Sequence, residues 1–218
     1  MSVVEMKNVS KKFKNRVIFE NVNITIEEGK IIGVVGENGC GKSVLFKMIC
    51  GFIPFQGEID VFDKKIGRDV DVPENTGILI ETPGFLEEYN QQYNLRYLSA
   101  INHKMNEKEI NQVLEKVGLD CDNKEKVKKF SLGMRQKLAI AQAIMEEQKL
   151  IILDEPMNAL DETSVKRIRS LLLDLKKQGK TIILASHIKE DMEILCDEVY
   201  RIVNQILKSS EMVKWYFT

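Results

Sequence analysis

The chain has 218 residues, and its 32 lysines and arginines against 33 aspartates and glutamates leave a net charge of −1, without the basic excess that a nucleic-acid partner calls for. That length fits one large domain, or one domain with an inserted lobe, and can bury a sizeable core. The four cysteines (Cys40, Cys50, Cys121, Cys196) are scattered without a C-x-x-C pair, which argues against a metal cluster or disulfide framework and for reduced thiols.

The N-terminus carries no apolar run behind a basic start, so it does not read as a signal peptide. No stretch approaches the roughly 18 apolar residues of a membrane helix, so work at a membrane would need another subunit to supply the spans. The first thirty residues alternate apolar and polar, as in Val22-Asn23-Ile24-Thr25-Ile26, and predict antiparallel strands with one wet face. Lys30 to Val35 is a more continuous apolar strand, followed by a glycine-rich turn and a helix from Ser43 to about Cys50, closed by Gly51. Strand pattern returns at Gly57 to Phe62 and at Ile78 to Ile80. Helical spacing then dominates, near Leu86 to Ile101, Glu107 to Val117 and Ser131 to Glu146. The chain resumes with strand Leu150 to Leu153, helix Ser164 to Lys177, strand Thr181 to Ala185, helix Ile188 to Leu195 and strand Glu198 to Val203. The aromatic tail Trp215-Tyr216-Phe217 reads as packing on the domain's own surface rather than as a binding site.

The turn after the third strand reads Gly36-Glu37-Asn38-Gly39-Cys40-Gly41-Lys42-Ser43, the phosphate-loop pattern G-x-x-x-x-G-K-[ST] in its required place between strand and helix. Glycines let the backbone fold tightly, so that its N–H groups converge on phosphate oxygens, and the helix start adds a positive dipole end. Lys42 would then bring a point charge to the β- and γ-phosphates, and the Ser43 hydroxyl can ligate magnesium. Leu150-Ile151-Ile152-Leu153-Asp154-Glu155 puts two carboxylates at the end of a buried strand, where ligands of open α/β sheets bind. Asp154 would hold the magnesium shell and Glu155 would orient and polarise an attacking water.

With these motifs in place, the chain resembles the ABC (ATP-binding cassette) ATPases over nearly its whole length. The deciding segment is Phe130-Ser131-Leu132-Gly133-Met134-Arg135-Gln136, which stands where that family has its Leu-Ser-Gly-Gly-Gln signature. Asn158-Ala159-Leu160-Asp161 looks like the family's D-loop, His187 like its switch histidine, and Phe13 lies where an aromatic residue stacks on adenine. Taken singly, Ser131 also reads as a helix N-cap, His187 as a surface histidine and Phe13 as core. The resemblance implies an α/β fold: a P-loop NTPase core with a mostly parallel sheet (1–83 and 148–218), an N-terminal antiparallel β lobe and an inserted helical lobe (about 84–147). It further implies ATP and Mg2+, and a head-to-tail dimer, of identical or related cassettes, in which Ser131 and Gly133 meet the γ-phosphate held by the opposite subunit. His187 would sense that phosphate beside Glu155, and Asp161 would couple the two sites. Separate transmembrane permease subunits would then place the chain at the cytoplasmic face of the cell membrane. A non-transport ABC ATPase, acting as scaffold or regulator, is the alternative. A chromosome-organising relative would carry a long coiled coil where only 87 residues lie between Lys42 and Phe130.

Three segments depart from the family pattern. Leu132 and Met134 replace the usual glycine and glutamine of the signature. Cys40 replaces a serine or alanine in the phosphate loop, either as a tolerated small side chain or as a reactive thiol beside a helix N-terminus. Glu81 stands where the family has its Q-loop glutamine, and a carboxylate binds magnesium strongly but donates no hydrogen bond. Ile78-Leu79-Ile80-Glu81-Thr82-Pro83-Gly84 resembles exporters of lantibiotics and bacitracin-like antibiotics, and this loop alone carries the expectation of export.

Overall fold

The computed structural model describes residues 1–81, 84–102 and 105–210, so the readings at Thr82, Pro83, His103 and the 215–217 tail lie outside the described residues. Two sheets organise the chain. The first is antiparallel, in the order β2 (Arg16–Glu27), β1 (Ser2–Phe13), β4 (Gln56–Val61), β5 (Lys64–Lys65). The second runs β10 (Ile206–Ser210), β9 (Glu198–Val203), β3 (Ile31–Val35), β8 (Thr181–Ala185), β7 (Leu150–Asp154), β6 (Thr76–Leu79). All its neighbours are parallel except the antiparallel edge strand β10.

The near-continuous apolar strands make sense because both faces of the second sheet are covered. Side chains alternate along each strand with a period of two. On β3, β7 and β8, Ile31, Ile151, Leu153, Ile182 and Leu184 join one core cluster, while Ile32, Val34, Ile152, Ile183 and Ala185 join the other. The second cluster also takes Phe19 and Ile26 of β2 and Leu45, Phe46 and Ile49 of α1 (Lys42–Ile49), so α1 is clamped between the two sheets. The first cluster takes the apolar stripes of α3 (Glu107–Val117), α4 (Leu132–Ile144), α5 (Glu162–Lys177) and α6 (Lys189–Leu195), together with Leu95 of α2 (Gln91–Asn102).

Helices α2, α3 and α4 lie in the chain between β6 and β7. α3 is bounded by sequence chemistry at both ends. Asn106 and Glu109 form a reciprocal capping box at its start, and Gly118 closes it in the left-handed conformation. α2 starts at Gln91 rather than near Leu86, because side chains compete for the backbone ahead of it. The Asn94 amide both accepts from Leu86 N and donates to Leu86 O, and Asn90 Oδ1 accepts from Tyr93 N. Among the described residues, no helix is long and apolar enough to cross a membrane.

Candidate functional site

β3 ends at Val35 and the loop 36–41 turns the chain into α1. Gly41 is the N-cap at φ 116°, where an L side chain is strained, and a Cβ there would lie 2.8 Å from Ile18 Cγ2. It offers no side-chain cap, so the first amides of α1 remain available to an anion. Lys42 is buried along most of its length, and its Nζ donates to the carbonyls of Gly36 (2.9 Å) and Glu37 (3.5 Å) of its own loop. Arg16, at the start of β2, braces the loop from outside by donating to Gly39 O at 3.3 Å.

A cleft of about 500 Å³ opens beside this loop and collects Asn38, Gly39, Gly41, Lys42, Ser43, Glu81, Asp154 and Glu155. Ser43 Oγ donates to Asp154 Oδ2 at 2.5 Å. Burial pushes the Asp154 carboxyl above the usual carboxylate range; the Ser43 hydrogen bond opposes this, and Glu155 and Glu81 reinforce it. Glu155 leaves β7 at φ 50°, an uncommon conformation for a side chain of its size. Three contacts hold it there. Its N–H donates to Ala185 O of β8 (3.0 Å), its carbonyl accepts from Gln136 Nε2 (3.1 Å), and its Oε2 lies 2.8 Å from His187 Nδ1. The His187 N–H also points to Glu155 Oε2, at 3.3 Å. Glu81, at φ 60° just past β6, is paired with Lys47 of α1 (Nζ–Oε1 2.6 Å).

The remaining expected site residues lie apart from this cleft. Ser131 caps α4, its Oγ accepting from Met134 N at 3.2 Å, and the Leu132 side chain beside it is 75% exposed. A Cβ on Gly133 would come within 2.8 Å of Ala159 O, so the glycine is required within this chain by the close approach of α4 to the Asn158–Asp161 loop. Asp161 caps α5, accepting from Ser164 N at 2.8 Å, and that hydrogen bond lowers its pKa. Phe13 is half exposed with Lys11 Nζ 4.6 Å from its ring centroid. It is not among the residues lining a second cleft of about 590 Å³, which Arg16, Val17, Ile18, Glu37 and Cys40 form with the turn between β9 and β10.

Several residues position the site through contacts that the sequence does not announce. Gln136 donates to the carbonyls of both Glu155 and Pro156, and thereby ties α4 to the acidic turn. Arg135, its neighbour, pairs with Glu87 at 2.9 Å. Asp191, fully buried on α6, accepts from Arg169 of α5 and from Ser186, and the same Ser186 Oγ accepts from Ile188 N. This network fixes the turn that carries His187. Polar partners 19 to 48 residues apart leave no periodicity from which they could be read.

Against known proteins, the family model described as ABC transporter matches residues 19–158, and the chain belongs to that family. It is thus a member of a family of ATP-binding, ATP-hydrolysing proteins. The uncharacterised ABC transporter ATP-binding protein YybJ of Bacillus subtilis is 40% identical over 212 residues, covering 97% of both chains. The bacitracin transport ATP-binding protein BcrA of Bacillus licheniformis is 36% identical over 91% of this chain and 66% of its own length. The lantibiotic transport ATP-binding protein SrtF of Streptococcus pyogenes is 33% identical over 89% of this chain and 84% of its own. The chain therefore spans about two-thirds of the length of the bacitracin relative.

Proposed function

We propose that the chain is the ATP-hydrolysing subunit of an exporter of peptide antibiotics, working with separate membrane-spanning permease subunits at the cytoplasmic face of the membrane. The observation that carries this reading is the cleft in which the phosphate loop, the Ser43–Asp154 pair and Glu155 converge, with His187 held against Glu155. The bacitracin and lantibiotic transport ATP-binding relatives supply the substrate class.

The donor set fits magnesium: hydroxyl and carboxylate oxygens, without sulfur or imidazole, are what a small hard cation takes. Ser43 and Asp154 would hold it, with Glu81 in reach of the same cleft. Bound there with the nucleotide, magnesium would supply neutralisation of the phosphate charge. The chain's own groups do the rest. Loop amides and Lys42 cradle the phosphates, with Lys42 exchanging its two loop carbonyls for phosphate oxygens. Glu155 accepts a proton from the attacking water, and His187, braced against it, senses the γ-phosphate. Ser131 and Gly133 sit at the exposed start of α4, a helix N-terminus suited to the γ-phosphate of a second, head-to-tail subunit. Asp161 lies on the adjoining loop, where it would couple the two sites. Phe13 would leave Lys11 to stack on adenine.

The permease would meet the segment after Glu81, through Phe85 toward Tyr93, where Tyr89 and Tyr93 stack with centroids 4.0 Å apart and both are substantially exposed. The test is to purify the protein from native membranes with ATP, locked by Glu155→Gln. A multi-span membrane protein that comes along is the expected result; soluble partners alone would turn the assignment to a non-transport ATPase.

Cys40 gives a second test. It lines the open 590 Å³ cleft at the phosphate loop, whereas burial pushes the Cys50 and Cys196 thiols up to about 12 and raises that of Cys121. A maleimide at neutral pH is expected to modify Cys40 first and to abolish ATP binding, with prior ATP protecting it. Intact ATP binding after full modification of Cys40 would place the thiol off the nucleotide's path.

A further inference from the structure

Ser43 and Lys47 stand four residues apart on α1, so their side chains share one face of the helix. From that face Ser43 reaches Asp154 and Lys47 reaches Glu81. The cleft therefore gathers three carboxylates, of Glu81, Asp154 and Glu155, and their mutual repulsion is a cost wherever no cation lies among them. Lys47 neutralises one of the three. A glutamine at position 81 would offer Lys47 no charge, so the carboxylate there and the lysine one turn beyond Ser43 complement each other. The pair is also built to be broken. The Glu81 side chain is 63% exposed, and exposed ion pairs are weak.

We propose that Lys47 is a positioning residue that holds Glu81 in reserve beside the metal site, and that Glu81 exchanges Lys47 for the nucleotide's divalent cation when ATP binds. This rests on the ATP–magnesium reading of the same cleft. A dication outcompetes a single ammonium for the carboxylate, and Ser43 and Asp154 already mark where it sits. The exchange frees the Lys47 ammonium on the face of α1 in the nucleotide-loaded state alone, so the helix that carries the phosphate loop presents a cation unpaired with Glu81 only when loaded. Glu81 thus acts as a metal ligand only after release, and Lys47 sets how tightly the site takes the cation.

The test uses AMP-PNP, which is not hydrolysed, titrated by calorimetry into the intact protein with Mn2+ and again in EDTA. The ratio of the two affinities reads the metal's contribution and cancels any general charge effect on nucleotide binding. Lys47→Met is expected to raise that ratio about 1.5- to fivefold, the range of an exposed ion pair. Lys47→Arg is expected to leave it near the wild-type value, and Glu81→Gln to lower it. In the Glu81→Gln background, Lys47→Met is expected to change nothing. An unchanged ratio in Lys47→Met alone, or an equal rise in the Gln background, would overturn the exchange while leaving ATP binding intact. A wild-type protein that binds AMP-PNP equally with and without Mn2+ would overturn the magnesium reading itself, and the exchange with it.

Discussion

Replacing Glu155 with glutamine is expected to lower ATP turnover by about 10²- to 10⁴-fold, the range for loss of a positioned general base, while nucleotide affinity stays within a few-fold of wild type. Glutamine keeps the shape of the side chain and leaves the main-chain contacts of residue 155 in place, from its N–H to Ala185 O and from Gln136 to its carbonyl. What it loses is a carboxylate able to take a proton and to face His187 at 2.8 Å. On the proposed reading the phosphate contacts would come from Lys42 and the loop amides, which the substitution does not touch. Single-turnover hydrolysis measured beside equilibrium binding separates the two quantities. Turnover within tenfold of wild type would assign the base to another group.

The largest stability effect is expected at Arg169. Its guanidinium donates from Nε (2.8 Å) and Nη2 (2.6 Å) to Asp191, whose side chain is 0% exposed, and from Nη1 to Glu190 at 2.9 Å. Arg169→Met leaves a fully buried carboxylate whose one remaining side-chain partner among the described residues is the Ser186 hydroxyl, and the protein is expected to lose about 3–5 kcal/mol in urea unfolding. Apolar replacement of both partners, as in Arg169→Met with Asp191→Leu, is expected to recover much of that loss, because no charge then remains buried. The turn 186–188 would still be loosened, since Ser186 Oγ would keep Ile188 N but lose Asp191. The double variant therefore separates fold stability from the placing of His187. A loss below about 1 kcal/mol in Arg169→Met would mean that water reaches Asp191 and solvates it.

Much of the fold could be read from local chemistry. Thr181–Ala185, Glu198–Val203 and Glu107–Val117 run from the first to the last residue expected, because apolar runs and capping residues mark their ends. β10 gave no such mark. Ile206–Ser210 is short and largely polar, and it exists because β9 offers a free edge beside it. The late start of α2 depended on two asparagines whose competition for the backbone outweighs the helical spacing around them. At the site, the phosphate loop and acidic pair are contiguous and so could be recognised in one dimension. What holds them is not. Gln136 reaching Glu155, Lys47 reaching Glu81 and Arg169 reaching Asp191 each join separate elements, and pairing across space leaves no trace in spacing.

The strand order β3-β8-β7 has a metrical consequence. The loop after β3, the histidine after β8 and the acidic pair at the end of β7 issue from three adjacent tracks of one hydrogen-bonded lattice, whose pitch is about 4.8 Å. The phosphate-loop strand and the acid strand are thus two pitches apart, with the histidine strand on the track between them. Ser43 still touches Asp154, so the first turn of α1 must reach across the middle track to do so. The coarse dimensions of the reaction chamber are therefore set by the backbone's own repeat distance. Core side chains on these strands can vary in size without rescaling it, provided the lattice stays in register.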